Sequence, residues 1–311
     1  MLNHKILITI VTPFYNAKRL LKGHFDKIKS LIKHTSIEII YVDDGSDDNG
    51  FNYLKEKTKN LYNAQVFKLK KNCGPGIARN LGVKKANGHF ILFLDVDDQL
   101  LSIGFNKLIH HVEKNLNCDL FFFDYIKENK NTQINLSKKK LKKNKIIKYF
   151  LRTDLDMCPN FYLYRKSFLL KKNIFFQKGF YEDILFVLKV FVNVNKQMCF
   201  FKKVYRKKNN KKSITNTFSD KHIYDFIQTS ISKYNFFYKK ILNKFKYIYS
   251  SDLQYGLRGD YLFAHKLLSS TKKARTTVKM IDNSYKKIIN ENFYALTTYD
   301  KIVKRKLFLK K

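Results

Sequence analysis

Short apolar runs alternate, through the first part of the chain, with longer stretches whose apolar residues recur every three or four positions. The runs Lys5–Thr12 (KILITIVT), Ile37–Val42, Ala64–Leu69, Phe90–Leu94 and Asp119–Asp124 are rich in β-branched and aromatic residues. Runs of that kind predict strands buried on both faces. Between the first two, Leu20, Leu21, Phe25, Ile28, Leu31 and Ile32 make a helical stripe. A polar helix reaching about Asn60 follows the second strand. Pro75 and Gly76 open, and Gly88 closes, a helix over Gly74–Ala86. A further helix is expected over about Ser102–Leu116. Strand alternating with helix predicts an α/β fold with a mainly parallel sheet and helices on both faces.

After Asp124 the rhythm breaks. Lys127–Lys148 is rich in lysine and asparagine and reads as an exposed excursion leading into a helix. Phe161–Arg165 is a short strand. Ile184, Leu185, Leu188, Val190 and Phe191 predict a helix starting near Glu182, and Met198–Tyr205 returns as a strand. From about Asp220 only helical patterns remain, with Phe226, Ile231, Phe236, Phe237, Ile241 and Leu242 among their apolar positions. The expected organisation is a strand-and-helix domain over 1–218 and a helical C-terminal region over 219–311.

Composition narrows the classes. A 311-residue chain that is 44% hydrophobic can build a sizeable core, which excludes wholesale disorder. Lys and Arg number 62 against 25 Asp and Glu, a formal net charge of +37. Lysine dominates and is scattered, so the charge reads as a general surface property; no nucleic-acid partner is expected. Cys73, Cys118, Cys158 and Cys199 lie far apart without zinc spacing, which predicts reduced thiols. No apolar run approaches the ~18 residues of a spanning helix, and Ile6–Val11 is too short for a secretion signal. The expectation is a cytoplasmic protein. Its basic, aromatic C-terminal helices either cap the core or rest on an anionic inner membrane surface.

The chemistry lies where strands end. Phe90–Leu94 runs into Asp95-Val96-Asp97-Asp98. Charge is costly in a core, so these acids should emerge at the strand's carboxyl end, where open α/β sheets bind ligands. Alternation along an extended chain would point Asp95 and Asp97 the same way, toward a divalent cation and ligand hydroxyls. The first strand ends Thr12-Pro13-Phe14-Tyr15-Asn16 and the second Asp43-Asp44-Gly45-Ser46.

In this order PFYN, VDDGSDD, NCGPGIARNLG, FLDVDD and Tyr181-Glu182-Asp183-Ile184-Leu185-Phe186 resemble the landmarks of glycosyltransferase family 2, over roughly 5–218. That family comprises inverting sugar-nucleotide enzymes with a Rossmann-like GT-A fold. The resemblance implies transfer of a hexosyl or N-acetylhexosaminyl group from a nucleotide-sugar donor, UDP-linked, to a hydroxyl of a glycan or glycolipid acceptor of the lipopolysaccharide or capsule type. It implies that Pro13, Tyr15, Asn16 and Val96 line the donor site. Asp43 is expected to accept the imide N–H of the base, with Asp44 capping the turn through Gly45-Ser46. Arg79 would contact base, ribose or diphosphate, while Asn80 and Gly82 shape the loop. Asp95 resembles the ribose or metal contact and Asp97 the direct ligand of Mg²⁺ or Mn²⁺, with Asp98 in support. Asp183, beside Glu182, resembles the general base, and a helix amino end would hold its carboxylate ionised. Arg206, with Lys207 and Lys208, would grip the diphosphate when a loop around Ser213–Asn216 closes. His222 is a weaker candidate for the metal shell.

Two other classes share some of these features. A sugar-nucleotide pyrophosphorylase needs a glycine-rich loop after the first strand, where this chain has Pro13-Phe14-Tyr15-Asn16-Ala17. A basic nucleic-acid-binding module explains the charge but not the acidic strand ends.

Overall fold

The computed structural model describes residues 5–128, 132–134, 143–152, 155–208, 219–237, 239, 250–269 and 279–287. Packing divides the chain into two units, Met1–Lys142 with Cys158–Lys211, and Lys143–Met157 with Lys212–Lys311.

The first unit is a strand-and-helix layer structure. Strands β1 (Ile8–Phe14) and β2 (Ile37–Asp43) are buried at every position, as unbroken apolar runs require. β3 (Ala64–Lys68) and β4 (Phe90–Phe93) complete a parallel set with β1 central, paired to β2 on one side and β4 on the other. The chain winds outward from β1 through β2 to β3, then returns to β4. This reversal beside β1 opens a crevice at the carboxyl ends of the strands. Beyond β4 the sheet continues through β8 (Tyr162–Arg165), β6 (Leu120–Lys127), β9 (Gln197–Lys207) and the short β5 (Gln99–Leu100), with β7 (Thr132–Ile134) paired to β6. β8 runs antiparallel to both neighbours and β5 antiparallel to β9, so the sheet is mixed.

Helices α1 (Lys18–Leu31), α2 (Gly50–Thr58), α3 (Pro75–Lys85) and α4 (Ser102–Glu113) connect the early strands, and the short α6 (Lys166–Lys171) follows β8. In α1 the stripe buries Leu21, Phe25, Ile28 and Leu31 together with His24, whereas Leu20, expected in the stripe, is 42% exposed. Pro75 opens α3 as its fixed φ allows. Gly82 seats α3 on β1, because a Cβ there would run into Val11 Cγ1. An aromatic cluster fills the sheet face near α7 (Glu182–Asn193): Phe93 meets Phe176 and Phe186 edge-on and Tyr164 at a tilt, and Phe176 stacks on Phe186 at 3.8 Å between centroids. Each fully buried ring of this kind contributes about 1.5–3 kcal/mol.

The second unit is helical in its described part. It contains α5 (Lys143–Leu151), α8 (Asp220–Phe237), α9 (Ser250–Ser269) and a helical stretch over 279–287. Asp260 on α9 accepts from Lys233 and Tyr234 on α8, a buried polar junction between the two helices. The region around Ser213–Asn216, like Ile241 and Leu242, lies outside the described residues.

Candidate active site

The acidic turn follows β4 directly. The Leu94 amide donates to Val11 O, the last sheet bond, and the Asp98 amide then donates to Asp95 O at 3.1 Å. Asp95–Asp98 is therefore a turn with Val96 and Asp97 at its tip. Strand alternation does not govern it, which corrects the expectation that the pleat alone aligns Asp95 with Asp97. Asp98 is 5% exposed and shapes the turn. Its carboxylate accepts the Tyr205 hydroxyl at 2.6 Å and the Lys208 amide at 2.8 Å. Burial, and then the charge of Asp95, push the Asp98 carboxyl up to about 7.

Asp95 is partly exposed and receives Arg79 Nη2 at 3.0 Å. Burial opposes its charge, but the Arg79 and Lys207 cations outweigh that and hold its pKa below the usual carboxylate value. The other guanidinium nitrogen, Nη1, donates to Glu182 Oε1 at 2.9 Å. Arg79 lies 5.4 Å over the Phe176 ring and is only 6% exposed. Burial works against its charge, and Asp95 and Glu182 override that, so its pKa sits above the ordinary arginine value. Arg79, expected to touch the donor, is held between two acids from distant segments.

Several local features bring α3 and α7 together. Gly76 leaves room for the Glu182 side chain, whose Cγ would lie 2.6 Å from an added Cβ. Asn80 clamps residue 176 by both backbone groups, Nδ2 to the carbonyl at 2.8 Å and the amide to Oδ1 at 2.9 Å. Tyr181 precedes α7 at φ +61°, a left-handed conformation that bulky residues adopt rarely and that marks a constrained helix start. Glu182 and Asp183 then occupy the first turn. Asp183 accepts the Ile184 amide at 2.9 Å. The helix end does not dominate its ionisation: burial, followed by the Glu182 charge, pushes its carboxyl up to about 7, with Arg79 and Lys207 pulling the other way.

At the end of β2 the turn is capped by Asp43, where the sequence suggests Asp44. Asp43, wholly buried, caps the turn: its Oδ1 accepts both the amide (2.8 Å) and hydroxyl of Ser46. Its Oδ2 has no hydrogen bond and lies 3.5 Å from Lys68 Nζ. Asp44 reaches across to the next loop and accepts the Cys73 and Gly74 amides, each at 2.8 Å. Asn16 joins the two strand ends, its amide donating to Ser46 Oγ and its Oδ1 accepting the Asp47 amide, both at 2.9 Å. Pro13 is buried in β1 opposite Val42, and Tyr15 is 46% exposed beyond it.

Thus Pro13, Asn16, Asp43, Asp44, Asp95, Val96 and Asp97 lie at the carboxyl ends of β1, β2 and β4, and Arg79 ties Asp95 to the Glu182-Asp183 pair. Arg206 sits in β9 opposite Gln99, just after the acidic turn. His222 belongs to the second unit, where Ser219 bonds its Nδ1. Sequence reasoning did not single out Tyr205 and Asn160 as a pair: Asn160 Nδ2 donates to the Tyr205 hydroxyl oxygen at 2.9 Å. Partners 45 positions apart leave no local signal. Among the described residues no three metal-ligating side chains converge, and no helix is long and apolar enough to cross a membrane.

The chain is similar to several known proteins. EpsJ of Bacillus subtilis (strain 168), an uncharacterised glycosyltransferase, is 27% identical over 246 residues, covering 74% of this chain and 70% of EpsJ. The crystal structure of S. aureus TarS matches with a TM-score of 0.69 at 20% identity, over 96% of this chain and 50% of TarS. TarS 1–349 in complex with UDP-GlcNAc matches with a TM-score of 0.61 at 19% identity, over 92% and 91% of the two chains. This chain thus spans about half the length of full TarS, and the likeness establishes a GT-A fold. The profile of glycosyl transferase family 2 matches residues 9–176, more than half of the sequence, and on that match the chain belongs to glycosyl transferase family 2.

Proposed function

We propose that the chain is an inverting glycosyltransferase that moves a sugar from a UDP-sugar to a hydroxyl of a glycan or glycolipid acceptor. The observation that carries this reading is the Arg79 bridge, which joins the Asp95 turn after β4 to the Glu182-Asp183 pair opening α7. A nucleotide-sugar lying along the strand ends would then have its diphosphate at the acidic turn and its anomeric carbon before α7. The UDP-GlcNAc complex of TarS 1–349 supports a uridine nucleotide, and TarS is named a poly(ribitol-phosphate) β-N-acetylglucosaminyltransferase. Of the acids after β2, Asp44 is the better candidate to accept the base imide N–H. Asp43 is wholly buried with Oδ1 on the Ser46 turn and Oδ2 toward the Lys68 cation, whereas each Asp44 oxygen takes one amide and keeps a lone pair.

In the transfer, the acceptor oxygen attacks the anomeric carbon from the face opposite the diphosphate. A new C–O bond forms as the bond to the diphosphate oxygen breaks, and its electron pair leaves with UDP. The acceptor's proton passes to the Asp183 carboxylate, whose pKa near 7 suits a general base at neutral pH. Glu182 acts through Arg79 to hold the helix start.

The donor set also fits Mg²⁺ or Mn²⁺. Asp95 and Asp97 offer carboxylate oxygens, and such cations take one or two carboxylates plus substrate phosphates in place of a closed protein cage. When bound, the cation would neutralise charge on the departing diphosphate. Asp98 has both oxygens engaged and is not assigned as a ligand. A panel of nucleotide sugars with Mn²⁺ tests the proposal. UDP-sugars should raise the melting temperature and release UDP in the presence of a suitable acceptor. Stabilisation by no uridine nucleotide, with no release from any donor, would overturn it.

A further inference from the structure

Both ends of the acidic turn meet a single oxygen atom. The Tyr205 hydroxyl donates to Asp98 Oδ2 at 2.6 Å and accepts from Asn160 Nδ2 at 2.9 Å; the Asp95 amide approaches the same oxygen at 3.5 Å. One proton given and two lone pairs filled is the full capacity of a phenol. β9 reinforces the grip. Tyr205 and Arg206 are in register with Leu100 and Gln99, the Leu101 amide donates to Val204 O at 2.8 Å, and the Lys208 amide donates to Asp98 Oδ1. Tyr205 and Asn160 are both wholly buried. The Tyr205 ring meets Phe161 edge-on at 5.4 Å between centroids.

We infer that Tyr205, steadied by Asn160, is a positioning residue that holds Asp95–Asp98 in the shape that receives the donor diphosphate and its cation. The inference rests on the donor site proposed above. It goes further in assigning the shape of the turn to β9, far along the chain, and not to the strand that carries the acids. Neither side chain is a catalytic residue, because the protein encloses both. Asp98 likewise acts as the anchor that Tyr205 and Lys208 pull on.

The test uses the full chain and measures UDP binding by calorimetry with and without Mn²⁺, alongside thermal melting. Tyr205→Phe keeps the ring but removes all three contacts. It should weaken UDP binding in Mn²⁺ about tenfold, the scale of a lost charge-assisted hydrogen bond, while changing metal-free UDP binding less than twofold. Asn160→Ala leaves the tyrosine in place, should shift affinity the same way, and keeps the test alive should Tyr205→Phe fold poorly. Unchanged affinity in Mn²⁺, or an equal loss with and without metal in the folded variants, would overturn the inference. A parent chain that binds no UDP under either condition overturns the donor site itself, and the inference with it.

Discussion

Replacing Arg79 with methionine probes the junction on which the site depends. The guanidinium is 6% exposed and bonds Asp95 Oδ1 and Glu182 Oε1 at 3.0 and 2.9 Å. Methionine keeps the contact with Phe176 but leaves two acids without their cation. Removing one partner of a buried ion pair costs about 3–5 kcal/mol. Arg79→Met should therefore lose stability on that scale near pH 8. The pH dependence follows from the carboxyl shifts. Asp95 is depressed in the parent, so its stabilisation is present above its unfolded pKa of about 3.9 and is lost as pH falls through the folded value. In the variant the uncompensated carboxyls hold their protons to higher pH, so stability falls as pH rises. The gap between parent and variant should therefore widen from pH 5 to pH 8. Urea denaturation followed by circular dichroism and tyrosine fluorescence measures it, the chain having no Trp. A penalty under about 1 kcal/mol, or one that does not change with pH, would show that the two acids do not depend on Arg79.

Gly82→Ala should cost about 1–3 kcal/mol, because the methyl meets Val11 and pushes α3 off β1. Gly23→Ala, with nothing within 4 Å, should be neutral or stabilising by up to about 1 kcal/mol; equal denaturation midpoints for the two variants would contradict the packing. Because the Asp183 carboxyl is pushed up to about 7 and a base must be deprotonated, kcat/KM should rise through neutral pH on its acid side; a flat profile from pH 5.5 to 8.5 would count against that role. With a net charge of +37, the full chain should float with anionic vesicles and not with neutral ones, and release as salt rises. Flotation that ignores lipid charge would remove the membrane-surface reading.

Elements with one dominant signal were legible in the sequence. The buried strand runs, the Pro75 helix start and the α7 start at Glu182 all follow from local pattern. The antiparallel course of β8 did not, since a four-residue strand carries no mark of direction. Leu20 fits the α1 stripe by spacing yet lies at its exposed edge. The acids were visible as strand ends, but their bonds were not. Asp43 and Asp44 are adjacent, and only the approach of the 72–74 loop decides which one caps and which one reaches. Arg79 belonged to a recognised motif, yet its partners come from positions 16 and 103 residues away. Tyr205 and Asn160 depend wholly on the sheet order that puts β9 beside the acidic turn.

The most direct measurement is on Asp183→Asn, assayed for UDP binding in Mn²⁺ and for UDP release from the best donor and acceptor. The amide keeps the shape of the side chain but cannot take the acceptor's proton. Nucleotide affinity should stay within about twofold of the parent and the transfer rate should fall by about a hundredfold or more. A variant that turns over at the parental rate would contradict the role of Asp183 as base.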